Sequence, residues 1–356
     1  LPNSHQRPDD NIKDHAMLSG HMLPIHFPPA PDELLSSWYV RLAHANSLKV
    51  ETFGTVLWGG QRQIWNRDID RLSPEWLVKE LADRTGTSFD VAWKTTLKSY
   101  EGKLFTKIRQ TGISPWILPV QMYHRKRRWP GLQYCPECLK EDVEPYYRKY
   151  WRIALYNACH HHRVLLLDRC PSCRDTVMFH RREWKSTEEL DVQPLSLCYK
   201  CNFDLRLATT LTSDGYRQSS AKLADKTMMW LVTGNDSKRP ESFFEVLHQI
   251  CKILLATDYG ERVRNLIADK TETYPIKLYH KASATSANTM FFERCSILER
   301  HYLLGQAIWI LSAPEKRLKY LLKSNTLPTN KLYKDLKNMP LWYRKILKSL
   351  PHRAIP

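Results

Sequence analysis

The apolar residues of the chain recur mostly at helical spacing. In the stretch PDELLSSWYVRLAHANSL they fall on one face of a helix. Asp32 stands at a suitable N-cap position, and Asn46 and Ser47 at a suitable stop. The apolar positions of this face are Leu34, Leu35, Trp38, Leu42 and Ala45. The pattern predicts one amphipathic helix that begins after Asp32.

A second helical unit follows in SPEWLVKELADRTGTSFDVAWKTTLKSY, with Pro74 in its first turn. The residues TGTS divide it into two helices, which is the pattern of a helix-turn-helix. The small residues that define this pattern are Ala82, Gly86 and Ala92. Gly86 suits a tight turn because glycine adopts a positive φ at little cost. On a DNA-binding interpretation the second helix presents Lys94, Thr95 and Lys98; the alternative is a helical hairpin that contacts no groove.

The chain after about Leu207 returns to helical periodicity. The stretches SFFEVLHQICKILLA and MFFERCSILERHYLLG each carry an apolar face, and Cys251 and Cys295 fall on these faces as core residues. From Pro314 to Arg353 there are 11 Lys or Arg and two Asp or Glu. The charged side of these amphipathic helices must face solvent or an anion. A second helix-turn-helix in AIWILSAPEKRLKYLLKSNTLP lacks the turn glycine.

These patterns predict a mainly α protein with four parts. They are an N-terminal tail (1–31), a helical helix-turn-helix domain (32–130), a tandem zinc-binding domain (131–207), predicted from the C-x-x-C pairs in YCPEC, RCPSC and LCYKC, and a basic helical C-terminal domain (208–356). No segment approaches the roughly 18 consecutive apolar residues of a membrane helix. The first 31 residues lack the apolar core of a signal peptide. We therefore expect a soluble, cytoplasmic protein.

The charge balance points to a polyanionic partner. Lys and Arg number 54 against 37 Asp and Glu, a net charge of +17. A charge of this size favours nucleic acid as a partner, with a basic surface kept for solubility as the alternative. The densest run is YHRKRRWP, where four adjacent basic residues precede an aromatic residue and a helix breaker.

The cysteines form two sets with the spacing of zinc sites. The first is Cys135, Cys138 and Cys159 with a histidine of the run His160 to His162; the second is Cys170, Cys173, Cys198 and Cys201. Between each C-x-x-C pair and its second half lie 20 to 24 residues, as in structural zinc motifs. In the first set the x-x spacing selects His162, with His161 as the competing ligand. Four protein ligands leave no position for water, so both sites are predicted to be structural.

Three stretches together resemble the TniQ/TnsD family of bacterial transposition-targeting proteins. They are DELLSSWYVRLAHAN, LQYCPECLKED and YYRKYWRIALYNACHHHRVLLLDRCPSC, and the close likeness runs from about Leu23 to Cys201. The resemblance supports the eight ligands above, with His162 completing the first set. Where relatives often have proline after the third cysteine, this chain has His160.

The resemblance also implies a function. Members of the family are not transposases; they mark a target site and recruit an AAA+ ATPase regulator. In CRISPR-associated transposons, relatives bind the RNA-guided effector, and some form homodimers. The expected cofactors are two structural zinc ions. The resemblance also implies a location in the bacterial cytoplasm, associated with the nucleoid.

Three hypotheses follow. The first is a non-enzymatic adaptor that links target DNA or a targeting complex to the ATPase; the second is a sequence-specific DNA reader; the third is a zinc-ribbon nuclease or a Cys159 nucleophile. The chain has no phosphate-binding loop of the G-x-x-x-x-G-K-[ST] type and no convincing carboxylate pair for a nuclease. The candidate nucleic-acid contacts are Arg125, Lys126, Arg127, Arg128, Arg163, Arg169, Arg181, Arg182, Arg317, Lys319 and Lys323.

Overall fold

The chain is mainly helical, as predicted. The structure is a computed structural model that describes residues 22–59, 64–124, 126–181, 194–211, 214–233, 242–271, 276, 278, 291–336 and 339–350. In chain order its α-helices are α1 (Leu35–Ala45), α2 (Val50–Trp58), α3 (Ile69–Leu72), α4 (Glu75–Thr85), α5 (Phe89–Trp93), α6 (Pro136–Glu141), α7 (Asp214–Thr233), α8 (Ser242–Leu255), α9 (Tyr259–Ile267), α10 (Ile297–Ser312), α11 (Pro314–Lys323) and α12 (Leu341–Lys348). Strands β1 (Met122–Tyr123) and β2 (Lys126–Arg127) form an antiparallel hairpin.

The first predicted helix is present, but it begins later than expected. Asp32 adopts a positive φ of 54° instead of capping the helix, and Leu34 is the N-cap of α1. The buried carboxylate of Glu33 accepts hydrogen bonds from the Ala30 amide and the Ser37 hydroxyl, each at 2.8 Å. This carboxylate holds the chain in a turn ahead of the helix, so the N-cap prediction for Asp32 is wrong. The predicted stop at Asn46 is confirmed.

The predicted helix-turn-helix pattern is confirmed in part. Gly86 ends α4 in the left-handed conformation (φ +64°), and Ala82 and Ala92 are buried. The second helix, α5, is only five residues long and ends before Lys94. Thr95 is buried, and its hydroxyl donates to the Ala92 carbonyl at 2.6 Å. A helix of this length does not present Lys94, Thr95 and Lys98 to a groove as predicted.

A buried set of opposite charges fixes the middle of the chain against α1 and α3. The guanidinium of Arg152 lies in the core, with Nη2 2.6 Å from Asp68 Oδ2 and Nη1 3.0 Å from Asp70 Oδ2. Asp70 also accepts hydrogen bonds from the Ser36 amide and hydroxyl. Burial raises the pKa of Asp70, whereas in Asp68 the opposing charge of Arg152 outweighs burial and lowers the pKa. Paired in this way, the charges specify how the cysteine-containing segment docks on the N-terminal helices.

The C-terminal helices pack on the same continuous core. Buried polar contacts cross the predicted domain boundaries: Glu293 accepts from the Trp116 amide at 2.7 Å, and Arg300 donates to Gln133 at 2.7 Å. Cys251 and Cys295 are buried, as the pattern predicted. A capping box formed by Ser296 and Glu299 sets the start of α10. The four-part division of the sequence stays a prediction, and none of the described helices is long and apolar enough to cross a membrane.

Candidate metal centres and basic surface

The first cluster consists of Cys135, Cys138, Cys159 and His162, whose ligand atoms all lie within 4.8 Å of one another. Cys135 precedes α6 and Cys138 lies in its first turn, so the helix fixes the spacing of these two sulfurs. Backbone hydrogen bonds between Tyr134 and Leu167, at 2.7 and 2.9 Å, hold the two halves of the cluster together. All three cysteines are buried, which leaves His162 as the only ligand with partial exposure.

The ligand spacing fits a tetrahedral zinc ion. An ion 2.3 Å from each sulfur places two sulfurs about 3.8 Å apart, and an imidazole nitrogen at its usual distance about 3.5 Å from each sulfur. Here Cys138 Sγ lies 3.6 Å from Cys159 Sγ. The Nδ1 atom of His162 lies 3.3 Å from Cys138 Sγ and 3.5 Å from both Cys135 Sγ and Cys159 Sγ. A disulfide needs sulfurs about 2.05 Å apart, so these cysteines are not disulfide-bonded, and their spacing could hold a metal ion.

The three consecutive histidines have three different surroundings. Only His162 directs a ring nitrogen at the sulfurs, which decides between it and His161. Its other nitrogen, Nε2, lies 3.0 Å from Glu141 Oε2. His161 is exposed, while Nδ1 of His160 lies 2.7 Å from the Tyr156 hydroxyl. A carboxylate behind a histidine ligand fixes its tautomer and orientation. No pattern in the sequence marks Glu141 for this role.

The second cluster consists of Cys170, Cys173, Cys198 and Cys201, again with every sulfur within 4.8 Å of the others. Cys170 Sγ lies 3.6 Å from Cys201 Sγ, and Cys173 Sγ lies 3.7 Å from Cys198 Sγ. These separations also match the edges of a ZnS₄ tetrahedron. Cys201 is exposed and Cys173 is half-buried, so this cluster lies nearer the surface than the first.

Three of the four ligand pairs share one backbone turn. The residue after the second ligand has a positive φ without being glycine: Arg163 at 59°, Arg174 at 62° and Asn202 at 59°. Each of their amides donates to the carbonyl of the first cysteine in its pair, at 2.9 to 3.0 Å. The amide of that cysteine in turn donates to a carbonyl five residues later, at 2.7 to 2.9 Å. The turn points two ligand atoms at one centre, and it recurs as a structural repeat that the residue types alone did not reveal.

The protonation of the first cluster reflects crowded thiols. Hydrogen bonds from Cys135 and Cys138 lower the pKa of Cys159, while hydrogen bonds with Cys135 and Cys159, together with burial, raise the pKa of Cys138. One thiolate is thus favoured at the expense of its neighbours. A divalent cation would remove this conflict by stabilising all three thiolates. The residues fit zinc, and with four protein ligands each site would serve as a structural staple.

Comparison with known families identifies the region that contains the first cluster. Residues 24–166 match the TniQ family profile. The chain therefore carries a TniQ domain over these residues. A TniQ domain implies a role in target selection for DNA transposition. The first cluster lies inside the matched region, and the second cluster follows it. No curated protein matches the chain.

The basic run of the TniQ domain lies on the β1–β2 hairpin. Met122 pairs with Arg127 and Tyr123 with Lys126. Lys126 and Arg128 are exposed, whereas Arg127 is buried and its Nη1 donates to the Val177 carbonyl at 3.3 Å. Because strand residues alternate between faces, Arg127 points into the protein. Among the candidate nucleic-acid contacts of this run, Arg127 is thus the buried one, and Arg125 lies outside the described residues.

The arginines around the two clusters differ in whether they are already paired within the protein and in how exposed they are. Arg163 is paired with Asp225 of α7 and donates to the Ala221 carbonyl. Arg169 is exposed, and Arg181 is half-buried at the end of a short 3₁₀ turn. Arg182 lies outside the described residues. The exposed guanidinium of Arg169 and the partly exposed Arg181 are therefore the better placed for an anion.

The C-terminal cations lie on α11. The guanidinium of Arg317 stacks on the ring of Trp309, 4.0 Å from its centroid, and bonds to the Trp309 carbonyl. Lys319 is paired with Glu315 one turn earlier at 2.7 Å, and Lys323 is exposed. Arg317 is held by its contacts with Trp309 of α10. Lys323 is therefore the α11 cation of this set that is most accessible to a phosphate.

Proposed function

We propose that this protein is a non-enzymatic adaptor for DNA transposition, which links target DNA or a targeting complex to an AAA+ ATPase regulator. The observation that carries the proposal is the TniQ domain at residues 24–166, which implies target selection. The net charge of +17 supports contact with nucleic acid. The two clusters support a scaffold role because each offers a complete set of four ligands.

The same features favour an adaptor over an enzyme. Metal-assisted nucleases need an ion with an open coordination position. Among the described residues, the groups with metal-ligand spacing are the two complete clusters, and Cys159 belongs to one of them. We expect purified protein to leave supercoiled plasmid intact with Mg²⁺ or Mn²⁺. Nicking that disappears when one carboxylate is replaced would contradict this part of the proposal.

The dimensions of α5 favour an adaptor over a stand-alone reader of base sequence. A recognition helix reads several bases from successive turns, whereas α5 spans residues Phe89–Trp93. In addition, Lys98 donates to the Ser73 carbonyl at 3.0 Å and is committed to the fold. Phosphate contacts from Lys126, Arg128 and Lys323 would give affinity without a sequence motif.

The test uses zinc-loaded full-length protein and a random library of duplex DNA at about 150 mM salt, where nonspecific binding persists only through several phosphate contacts. We expect salt-sensitive retention and no enriched motif, together with recruitment of the AAA+ ATPase from the same transposon to the protein–DNA complex. A recovered motif would replace the adaptor with a direct reader of the target. The targeting complex could be an RNA-guided effector, and the same recruitment assay with that complex in place of naked DNA tests it.

A further inference from the structure

A cavity of about 370 Å³ lies between the β1–β2 hairpin and the second cluster. The hairpin contributes Tyr123, Lys126, Arg127 and Arg128, and the second-cluster segment contributes Asp175 and Tyr199. Cations and aromatic rings therefore line one concave site, in contrast to the scattered cations on the rest of the basic surface.

Hydrogen bonds between the hairpin and the second-cluster segment fix the shape of this cavity. The Arg127 amide donates to Met178 Sδ at 3.0 Å, and the Thr176 hydroxyl donates to the Arg127 carbonyl at 3.0 Å. A third hydrogen bond joins Arg127 Nη1 to the Val177 carbonyl. Both walls are held together before any ligand arrives, which reduces the entropy that binding must overcome.

Arg127 supplies a buried cation with spare hydrogen-bonding capacity. Its side chain is 4% exposed, and its closest carboxylate, Asp70, is 4.0 Å away. No acceptor among the described residues bonds to its Nε. A buried, unsatisfied donor on a charged group is costly unless a ligand or water completes it. Arg127 also lines the cavity, so its positive charge would attract an anion held there.

The rim places an aromatic face beside two further cations. Tyr123 is 53% exposed, and the Arg128 guanidinium lies 3.9 Å from the centroid of its ring. Lys126 is exposed on the neighbouring strand. The one carboxylate of the lining, Asp175, is already paired with Lys200 at 3.0 Å, so it does not repel an anion strongly. The lining thus offers a stacking surface together with an excess of positive charge.

We propose that this cavity receives one unpaired nucleotide of the DNA that the protein binds. The base would stack at Tyr123 and Arg128, and its phosphate would approach Arg127 and Lys126. Aromatic side chains beside cations are the recurring way in which proteins hold unstacked bases. A base in an intact duplex is not available to such a pocket, since it must first leave the stack, and this costs least when it has no partner. The inference rests on the proposed contact with DNA.

The experiment compares two duplexes that differ by one unpaired dA in the middle of one strand. Binding of zinc-loaded full-length protein is measured by fluorescence anisotropy. We expect the wild type to bind the bulged duplex about tenfold more tightly, in line with one stacked base. Tyr123→Ala and Arg128→Ala should bring this preference close to one while changing affinity for the paired duplex much less. The matched controls, Tyr320→Ala and Lys107→Ala, remove an exposed tyrosine and an exposed lysine elsewhere and should keep the preference.

A second measurement does not depend on variants. With 5-bromodeoxyuridine as the unpaired nucleotide, irradiation should crosslink it to Tyr123 or Tyr199, identified by mass spectrometry of the peptides. Equal affinity of the wild type for both duplexes, or crosslinks confined to α11 and α12, would overturn the pocket assignment. The adaptor function would survive either result if the ATPase is still recruited. Loss of ATPase recruitment with the bulge preference intact would instead overturn the adaptor function alone.

Discussion

The first and second clusters use similar ligands in different surroundings. The first lies inside the TniQ domain, with all three cysteines buried, and residues near it are bound to α10. Arg300 donates to Gln133, two residues before Cys135, and His301 Nδ1 lies 3.2 Å from Oδ1 of Asn157, two residues before Cys159. The second cluster exposes Cys201 and is flanked by the surface pair Lys200 and Asp175. One metal site would be part of the core, and the other would staple a surface segment.

The largest expected effect is that of Cys138→Ser. The variant removes a ligand from the buried cluster and leaves two buried thiols without the metal that relieves their crowding. Structural zinc contributes on the order of 10 to 16 kcal/mol, more than the whole stability of most domains. We expect protein that lacks a cooperative thermal transition by circular dichroism. A normal transition would show that the first cluster is not a core element.

Cys201→Ser should have a smaller effect, because it removes the exposed ligand of the second cluster. We expect elemental analysis to fall from two zinc equivalents to one, while the melting transition persists. Its midpoint should drop by roughly 10 °C or less, equivalent to a few kcal/mol for a chain of this size. Wild-type protein with zero or one equivalent would contradict the assignment of two sites. A Cys201→Ser variant as unfolded as Cys138→Ser would remove the contrast between the clusters.

Glu141→Gln tests the carboxylate behind His162. Replacing such a partner typically costs 10-fold to 100-fold in metal affinity. Because Glu141 is largely exposed, we expect the low end, about tenfold, in a competition titration with a chromophoric chelator. The control is Glu137→Gln, which changes another carboxylate of α6. Release of zinc from the second cluster should be the same in both variants, and a faster release there would argue against a local role.

The smallest effect is expected at Arg174, the positive-φ residue that follows Cys173. Arg174→Gly removes the conformational penalty of the left-handed region, worth about 1 kcal/mol, although glycine loses more backbone entropy on folding. We therefore expect a change in unfolding free energy within about 1 kcal/mol of zero. Arg174→Val should cost about 1 to 2 kcal/mol, since a β-branched residue is strained there. Denaturant titration of both variants separates them, and equal stability would mean that the turn does not constrain this position.

Sequence patterns anticipated which eight residues gather in the two clusters, because spacing along a short knuckle nearly determines its geometry. The same holds for the turn at Gly86 and for the buried faces of α8 and α10. The prediction that Asp32 caps α1 was wrong because the side chain of the neighbouring residue, Glu33, holds the preceding turn through hydrogen bonds with Ala30 and Ser37. The length of α5 escaped prediction since apolar spacing continues through Leu97, where the chain instead forms a 3₁₀ turn.

Contacts between residues far apart in the sequence were the other feature that could not be predicted. Nothing in the run YHRKRRWP distinguishes Arg127 from its neighbours until the hairpin register is known, and then alternation places it inside. Glu141 is likewise one acidic residue among several in LKEDVE until α6 brings it to His162. Contacts between residues far apart in sequence leave no periodic signal, so only the folded chain reveals them.

The hydrogen bonds that join α10 to Gln133 and Asn157 also bear on the order in which the nascent chain folds. Both partners flank ligands of the first cluster, and the ribosome releases them well before Arg300 and His301. The N-terminal part of a nascent chain folds first, so the knuckles can close on their metal while α10 is still untranslated. Until then water must serve Gln133 and Asn157. If the ribosome stalls before α10 is made, the nascent chain would carry its first metal ion, while the polar surface at Gln133 and Asn157 would still be accessible to chaperones.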